Sequence, residues 1–277
     1  MTRQRKHQGP LGIFDSGVGG LSVLREVRRQ LPDEDLIYIA DQAHVPYGSR
    51  SREEVFVFSE AIVRYLINKQ AKLVIIACNT ASAVALKELR KKYPSLPFVG
   101  MEPAVKPAAA ETSTGVVGVL ATPSTFEGDL YASTVERFAR GVKILQDTCP
   151  GLVEQIEKGE IRSLETKQIL QRALHPMLEA RVDEIVIGCT HYPFVIPLIK
   201  EIVGEGVDVI DPAPAVARQA ERLLTGYDLQ KGGQDEGKSF FYTTGETEDF
   251  DLLLNSLLGL ESESKSLHWV EGDLQER

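Results

Sequence analysis

The chain has 277 residues, 43% hydrophobic and 26% charged, with a formal net charge of −9. Its length is sufficient to bury a core without disulfides or a structural metal, and the acidic balance disfavours wide binding to a phosphate backbone, so we expect no nucleic-acid partner. No apolar run approaches the length of a membrane span, so we expect no membrane partner, and residues 1–10 are basic without the apolar core of a signal peptide.

Strands and helices alternate along the first half of the chain. Pro32 ends the first predicted helix, and cations close the helix that follows Cys78, which suits the helix dipole. The runs of buried-type residues predict strands at 11–14, 36–40, 73–77 and 98–101, and helical spacing predicts helices at 21–31, 55–66 and 80–92. Polar loops are predicted at 15–20 and 41–51.

The pattern then begins again, and it is followed by a tail. Strands are predicted at 116–121, 142–146, 184–188 and 207–210, with helices at 164–181 and 194–202. The tail predicts a helix at 216–224, a loop at 226–238, a strand at 239–242 and a helix at 250–258, with residues from about Glu271 frayed.

The two halves carry the same landmarks in the same order, roughly 110 residues apart. Any α/β chain looks self-similar to some degree, but a thiol at the same strand end in both halves favours a duplication. The matching pairs are Asp15 with Thr122, Asp41 with Asp147, Cys78 with Cys189, and Pro103 with Pro212.

Strand–helix alternation predicts an α/β fold with parallel sheets covered on both faces. We therefore predict two similar, doubly wound parallel-sheet domains related by internal duplication, with the active site in the cleft between them. The tail most simply returns to the first domain. The predicted domains are 1–103 plus 214–277, and 104–213.

Free thiols at two strand ends are the main chemical signal. Ligands of parallel sheets bind at the carboxyl ends of strands, where Cys78 and Cys189 both lie. A lone cysteine is often a small core residue, but each of these two precedes polar residues that open a predicted helix, which favours the thiolate and lowers the pKa of the thiol. Cys149 lacks that context, and we interpret it as structural.

The three cysteines form no Cys-x-x-Cys pair and no cluster with zinc spacing, so we predict neither disulfides nor a metal site. Free thiols persist in reducing compartments, and we therefore expect a cytoplasmic protein. The sequence carries no nicotinamide signature and does not require pyridoxal phosphate, so no cofactor is predicted.

The glycine-rich stretch at 15–20 has the spacing GxGG rather than that of a nucleotide loop. We expect its backbone to approach a small anion, such as a carboxylate, at a helix N-terminus. Asp15 could instead be a helix cap, and Pro46-Tyr47-Gly48 could be only a turn. His191 could assist proton transfer or be a structural histidine, and His44, His175 and His268 show no pattern of partners.

Four motifs occur in order and together cover nearly the whole chain. They are Phe14-Asp15-Ser16-Gly17-Val18-Gly19-Gly20-Leu21, Pro46-Tyr47-Gly48, Ala77-Cys78-Asn79-Thr80-Ala81 and Gly188-Cys189-Thr190-His191-Tyr192-Pro193, joined by Tyr242-Thr243-Thr244-Gly245 near the end. With these motifs the chain resembles the glutamate racemase family. This resemblance implies two α/β domains, a cleft between them, and cofactor-independent interconversion of L- and D-glutamate, with D-glutamate supplied to bacterial peptidoglycan synthesis.

The resemblance also implies roles for individual residues. Cys78 and Cys189 correspond to the catalytic thiols, assisted by Asp15 and His191. Asp41 and Glu157 correspond to auxiliary acids, although the segment around Glu157 lacks the family's usual proline. Gln42 and His44 replace commoner residues. The implied substrate contacts are Ser16, Tyr47, Gly48, Asn79, Thr80, Thr190, Thr122 and Thr125.

The leading hypothesis is therefore a cytoplasmic glutamate racemase. Racemisation of aspartate or a related acid, and a binding protein that keeps the fold, stay open as alternatives. Some family members respond to the precursor UDP-N-acetylmuramoyl-alanine through an N-terminal extension. Because only residues 1–10 precede the first predicted strand, we expect activity without that activator. A homodimer is expected from the prevalence of such symmetry alone.

Overall fold

A computed structural model describes residues 8–232 and 235–276. The basic segment 1–7, two residues of the predicted loop 226–238, and residue 277 lie outside the described residues. The strands are β1 (Leu11–Asp15), β2 (Leu36–Ala40), β3 (Leu73–Ile76), β4 (Phe98–Gly100), β5 (Val116–Ala121), β6 (Lys143–Asp147), β7 (Glu184–Gly188), β8 (Asp208–Ile210), β9 (Ser239–Thr243), β10 (Lys265–Val270) and β11 (Asp273–Glu276).

Helices connect these strands. They are α1 (Leu21–Gln30), α2 (Arg52–Asn68), α3 (Asn79–Lys92), α4 (Val105–Glu111), α5 (Pro123–Phe126), α6 (Asp129–Phe138), α7 (Leu152–Glu157), α8 (Leu164–Glu179), α9 (Ile196–Val203), α10 (Ala213–Gly226) and α11 (Thr247–Leu258). Short 3-10 helices lie at Gln42–His44, Tyr47–Ser49 and Tyr192–Val195. Within 8–232 and 235–276, no helix is long and apolar enough to cross a bilayer.

The strands form two sheets with matching topology. The first has the order β11-β10-β9-β2-β1-β3-β4 and the second has the order β6-β5-β7-β8. The segment β2-β1-β3-β4 therefore repeats as β6-β5-β7-β8, and both segments are parallel throughout. This correspondence confirms the duplicated, parallel α/β fold, because it pairs the same strand ends that share landmarks in the sequence.

Successive residues of β1 pack on opposite faces of the first sheet, as strand geometry requires. Ile13 joins a core cluster that includes Leu24 of α1 and Ala217 of α10. Its neighbour Phe14 joins a second cluster that includes Ile62 of α2. Both faces of the sheet are therefore covered by helices, and the carboxyl ends of the strands are left to carry polar side chains.

The tail returns to the first sheet, where β9 pairs in parallel with β2 over its full length. The predicted fraying from Glu271 is wrong, because β10 and β11 form an antiparallel hairpin. Glu271 and Gly272 both have positive φ, as a two-residue hairpin turn requires. The short alternating pattern of β10 was missed, and α4 to α7 were missed as well. The division into domains 1–103 plus 214–277 and 104–213 stays a prediction.

Two carboxylates face each other where β7 and β8 begin. Glu184 lies in register with Asp208, and its largely buried Oε2 has no hydrogen-bond partner among the described residues. Burial, together with the charges of Asp208, Glu111 and Asp183, raises the pKa of Glu184 to about 7. Like charges directly opposite each other destabilise a sheet, so folding favours the protonated form of Glu184.

Glu184→Gln is therefore expected to stabilise the protein at pH 8 and to leave its stability at pH 5 nearly unchanged. The folded-state pKa lies above the unfolded one, so the stability associated with the bound proton is full below about pH 4.5 and is lost as the pH rises through about 7. We expect a gain of ~1 kcal/mol at pH 8, after allowance for solvent screening, in urea unfolding at both pH values.

The exposed Glu205 provides a control, because Glu205→Gln removes a carboxylate on the loop before β8 without removing this pair. It should not reproduce the gain in the free energy of unfolding that Glu184→Gln gives at pH 8. Equal effects of Glu184→Gln at the two pH values would contradict the assignment.

Candidate active site

A small, tight cavity lies at the carboxyl ends of strands from both sheets. It receives residues that follow β1, β2 and β3 from the first sheet, and β5 and β7 from the second. The lining residues are Ser16, Pro46, Tyr47, Gly48, Cys78, Asn79, Thr80, Thr122, Val153, Cys189, Thr190 and His191. The structure thus brings together at one cavity both thiols and most of the sequence-predicted contacts, while Asp15, Asp41, Thr125 and Glu157 lie behind the lining.

Cys78 lies between β3 and α3 as the N-cap residue of the helix. Its Sγ accepts a hydrogen bond from the Ala81 N–H at 3.5 Å and donates toward Ser16 Oγ at 3.9 Å. Burial and the nearby Asp15 carboxylate raise the pKa of Cys78 well above its ordinary value, and the Ala81 N–H only partly offsets them. The expected lowering by the helix terminus is therefore wrong for Cys78, and its resting form is the protonated thiol.

Cys189 follows β7 and lies beside a histidine. The helix predicted at 194–202 corresponds to α9, but the 3-10 helix Tyr192–Val195 comes before it, so the expectation that Cys189 lies at a helix N-terminus is wrong. The tight turn brings His191 Nδ1 to 3.8 Å from Cys189 Sγ. The imidazole is thus placed to exchange a proton with the thiol.

His191 is held from behind by Glu157, whose Oε1 lies 2.5 Å from Nε2. Burial lowers the pKa of His191, but hydrogen bonds with Cys189 and Glu157 outweigh burial and hold it well above its ordinary value. Burial alone would raise the pKa of Glu157, yet the hydrogen bonds from His191 and the Val18 N–H keep it lowered. His191 and Glu157 thus form a buried ion pair, and the Nδ1 of His191 faces Cys189.

The glycine-rich loop binds a carboxylate of the protein itself. The Val18 N–H donates to Glu157 Oε1 at 2.8 Å, and a Cβ at Gly17 would lie only 2.0 Å from the same oxygen. The carboxylate that this backbone approaches in the structure is that of Glu157, and its approach to a small anionic ligand stays a prediction. Gly17 is required because any side chain there would displace Glu157 from His191.

Asp15 anchors the same loop. Its Oδ2 accepts from the N–H groups of Gly17 and Gly20 at 3.3 and 3.0 Å, and its Oδ1 accepts from Thr190 Oγ1 at 3.3 Å. Burial raises the pKa of Asp15, and the positive charge of His191 opposes that rise. Gly20 precedes α1 and no side chain caps that helix, so the alternative of a helix cap is wrong for Asp15.

Asn79 is the clearest sign of a ligand. Its side chain is only 4% exposed and lines the cavity, yet neither Nδ2 nor Oδ1 has a hydrogen-bond partner among the described residues. An unsatisfied buried polar group costs ~1–3 kcal/mol, and native proteins seldom retain one without a reason. The carboxamide offers a donor and an acceptor to a polar molecule in the cavity.

Threonine and serine hydroxyls join the two sheets at the other side of the cavity. Thr80 Oγ1 and Thr125 Oγ1 each lie 3.1 Å from Thr122 Oγ1. Ser124 Oγ donates to the Gly48 carbonyl at 2.8 Å. Thr122 lines the cavity and Thr125 supports it. Sequence reasoning missed Pro46 and Val153 in the lining, and Val153 gives no signal that separates it from a core residue.

Comparison with known proteins identifies the family to which this fold and this site belong. The family model for Asp/Glu/Hydantoin racemase matches residues 13–220, which is most of the chain. The chain belongs to the Asp/Glu/hydantoin racemase family.

Relatives within this family are named glutamate racemase. One from Roseiflexus sp. is 49% identical over 90% of this chain and 92% of its own length, and one from Pseudomonas aeruginosa is 49% identical over 90% and 94%. Among solved structures, a Bacillus anthracis glutamate racemase isoform has a TM-score of 0.83 at 31% identity, covering 96% of this chain and 99% of that one. The Escherichia coli glutamate racemase with L-glutamate and the activator UDP-MurNAc-ala has a TM-score of 0.80 at 31% identity, covering 96% and 99%. The resemblance to the glutamate racemase family is confirmed.

Proposed function

We propose that the protein interconverts L- and D-glutamate without a cofactor and supplies D-glutamate for peptidoglycan synthesis. One observation carries the proposal: Cys78 and Cys189, from corresponding strand ends of two duplicated sheets, line one cavity. Inversion at Cα needs a base on one face of the carbon and an acid on the other. A thiolate and a thiol on opposite walls serve these roles and exchange them with the hand of the substrate.

Some of the neighbouring residues are proposed to contact the substrate or to exchange protons with the thiols. Others are proposed to hold those residues in place. His191 assists catalysis by exchanging a proton with Cys189, and Asp15 is the corresponding assisting group for Cys78, whose pKa its carboxylate raises. Glu157 is a positioning residue, because it holds His191, and Asp41 is another, because it holds Tyr47. The residues proposed to hold the carboxylates and ammonium of glutamate are Ser16, Tyr47, Gly48, Asn79, Thr80, Thr122 and Thr190, with Thr125 supporting Thr122.

Folded, chelator-treated protein incubated with L-glutamate in deuterated water is expected to yield D-glutamate with deuterium at Cα. The proton removed by one thiol exchanges with solvent, and the other thiol delivers a deuteron. Chiral chromatography with mass spectrometry measures both outcomes. Neither optical change nor label uptake, in protein whose circular dichroism shows it folded, would refute the proposal.

The same assay separates the alternatives. Faster labelling of aspartate than of glutamate would assign the chain to aspartate, because both thiols serve either substrate. A binding protein that only keeps the fold would label neither amino acid. It would also keep its full biological effect after both cysteines are replaced by serine.

We further propose a cytoplasmic location, a homodimer and the two domains 1–103 plus 214–277 and 104–213. Free, buried cysteines in a mechanism that needs a thiolate suit a reducing compartment. The dimer is proposed from the prevalence of two-fold symmetry among soluble oligomers, and sedimentation tests it. The domain limits are supported by the two separate sheets, since β9, β10 and β11 join the first.

A further inference from the structure

Asp41 is a fully buried carboxylate held by four side chains. Tyr47 Oη donates to its Oδ2 at 2.7 Å, and His44 Nδ1 lies 2.9 Å from the same oxygen. Thr244 Oγ1 and Trp269 Nε1 each donate to its Oδ1 at 2.8 Å. Tyr47 is the member of this set that lines the cavity.

Two of these partners come from the distant tail of the chain. Thr244 follows β9, and Trp269 lies in β10 near the edge of the first sheet. Trp269 also packs edge-on against the His44 ring, with centroids 5.0 Å apart, and His44 stacks on Phe58 of α2 at 3.8 Å. The β10–β11 hairpin thus packs against the loop between β2 and α2.

We propose that Trp269 is a positioning residue for the active site, acting with His44 and Thr244 through Asp41 to fix Tyr47 in the cavity wall. The inference rests on the proposed racemase function, since its kinetic readout is glutamate turnover. Tyr47 begins the 3-10 helix Tyr47–Ser49, so a shift of its ring would move Gly48, the next residue of the lining. The C-terminal hairpin therefore supports substrate binding from outside the cavity.

The electrostatics of the cluster agree with this role. Burial and the Asp41 carboxylate raise the pKa of Tyr47 well above its ordinary value, so its hydroxyl stays a donor. A buried carboxylate needs all its donors, because each lost hydrogen bond leaves charge uncompensated. Removing the indole N–H should therefore loosen Asp41 and, with it, Tyr47.

Trp269→Phe keeps an aromatic ring but replaces the larger indole by a phenyl group, which removes this N–H and part of the packing against His44 and Phe58. We expect the KM for glutamate to rise about tenfold, with kcat changed less than about threefold, as loss of one charge-assisted hydrogen bond predicts. Thr244→Val removes another donor to Oδ1 and should shift KM in the same direction. It serves as the second variant if Trp269→Phe fails to fold.

Tyr65→Phe is the matched control. It removes the hydrogen bond that attaches Tyr65 of α2 to Glu276 of β11, so it loosens the same hairpin without touching Asp41. Its KM should stay at the wild-type value. If the hairpin had only a structural role, Tyr65→Phe and Trp269→Phe would lower the melting temperature alike and leave KM unchanged, which would overturn the inference.

A double-mutant cycle tests whether the effect passes through Tyr47. In a Tyr47→Phe background, Trp269→Phe should raise KM by less than about threefold, because the hydroxyl it acts on is already gone. Full additivity of the two substitutions would overturn the inference. A wild-type protein inactive on glutamate would instead refute the proposed function.

Trp269 is the single tryptophan of the chain, which provides a readout without turnover. In the Cys78→Ser, Cys189→Ser protein, saturation with D-glutamate should shift the tryptophan emission, and the added Tyr47→Phe should abolish that shift. Unchanged emission while calorimetry detects D-glutamate binding would contradict the coupling.

Discussion

Replacement of either Cys78 or Cys189 by serine is expected to abolish racemisation in both directions, with a loss in kcat of at least ~10³-fold. Serine matches cysteine closely in size and keeps a hydrogen-bond donor, but it is a far weaker acid and gives no accessible alkoxide at neutral pH. Each direction requires one group to remove the Cα proton and the other to return one. The loss of either thiol therefore stops both directions, as coupled optical-rotation and chromatographic assays would show.

Cys149 provides the matched control, since it is the third cysteine and is also buried. It does not line the cavity, and its backbone N–H is held by Asp147 at 2.7 Å. Cys149→Ala should fold and retain near wild-type kcat. Racemisation that survives in Cys78→Ser or Cys189→Ser at a rate similar to that of Cys149→Ala would show that the thiols are not the acid and base.

The parts of the fold found from the sequence are those with strong local signals. Leu73–Ile76 and Glu184–Gly188 are dense apolar runs, and each is followed by a cysteine. Their shared position in two halves predicted the duplicated sheets, and parallel strands necessarily bring their carboxyl ends to one edge. Strand ends alone therefore predicted one cysteine at the carboxyl edge of each sheet, whereas the cleft that joins the two edges was also implied by the family resemblance.

What the sequence did not reveal depends on long-range contacts or on short elements. The hydrogen bond from Val18 to Glu157 joins residues 139 apart, and that from Trp269 to Asp41 joins residues 228 apart. No periodicity encodes such pairs. The helix α4 has Pro107 in its first turn, where proline is tolerated, but proline reads as a helix breaker in the sequence.

The pKa of Cys78 shows that burial can outweigh the effect of a helix N-terminus. The N-terminus of α3 favours its thiolate, as the sequence suggests, but complete burial beside Asp15 favours the neutral thiol more strongly. Burial is a property of the assembled cleft and cannot be inferred from the order of residues. The same holds for His191, whose positive charge depends on Glu157 from α7.

The second large effect that we expect is a preference of each thiol for one enantiomer of the substrate. Under the proposed mechanism, each thiol would face one side of Cα and act as base on one hand of the substrate only. The family resemblance implies that Cys189 takes the proton from L-glutamate and Cys78 takes it from D-glutamate. Proton removal alone needs one thiol, so a variant blocked in racemisation should still deprotonate one enantiomer.

Elimination from a glutamate analogue with a leaving group at Cβ tests this claim most directly. The thiolate removes the Cα proton, the new electron pair forms the Cα–Cβ double bond, and the leaving group departs with its bonding electrons, so no proton is returned from the other face. We predict that Cys189→Ser eliminates from the D-analogue but not the L-analogue, and that Cys78→Ser does the reverse, in each case by at least ~10²-fold over the other hand. Equal elimination from both hands by both variants would contradict the two-thiol, two-face mechanism, whatever the residual racemase activity.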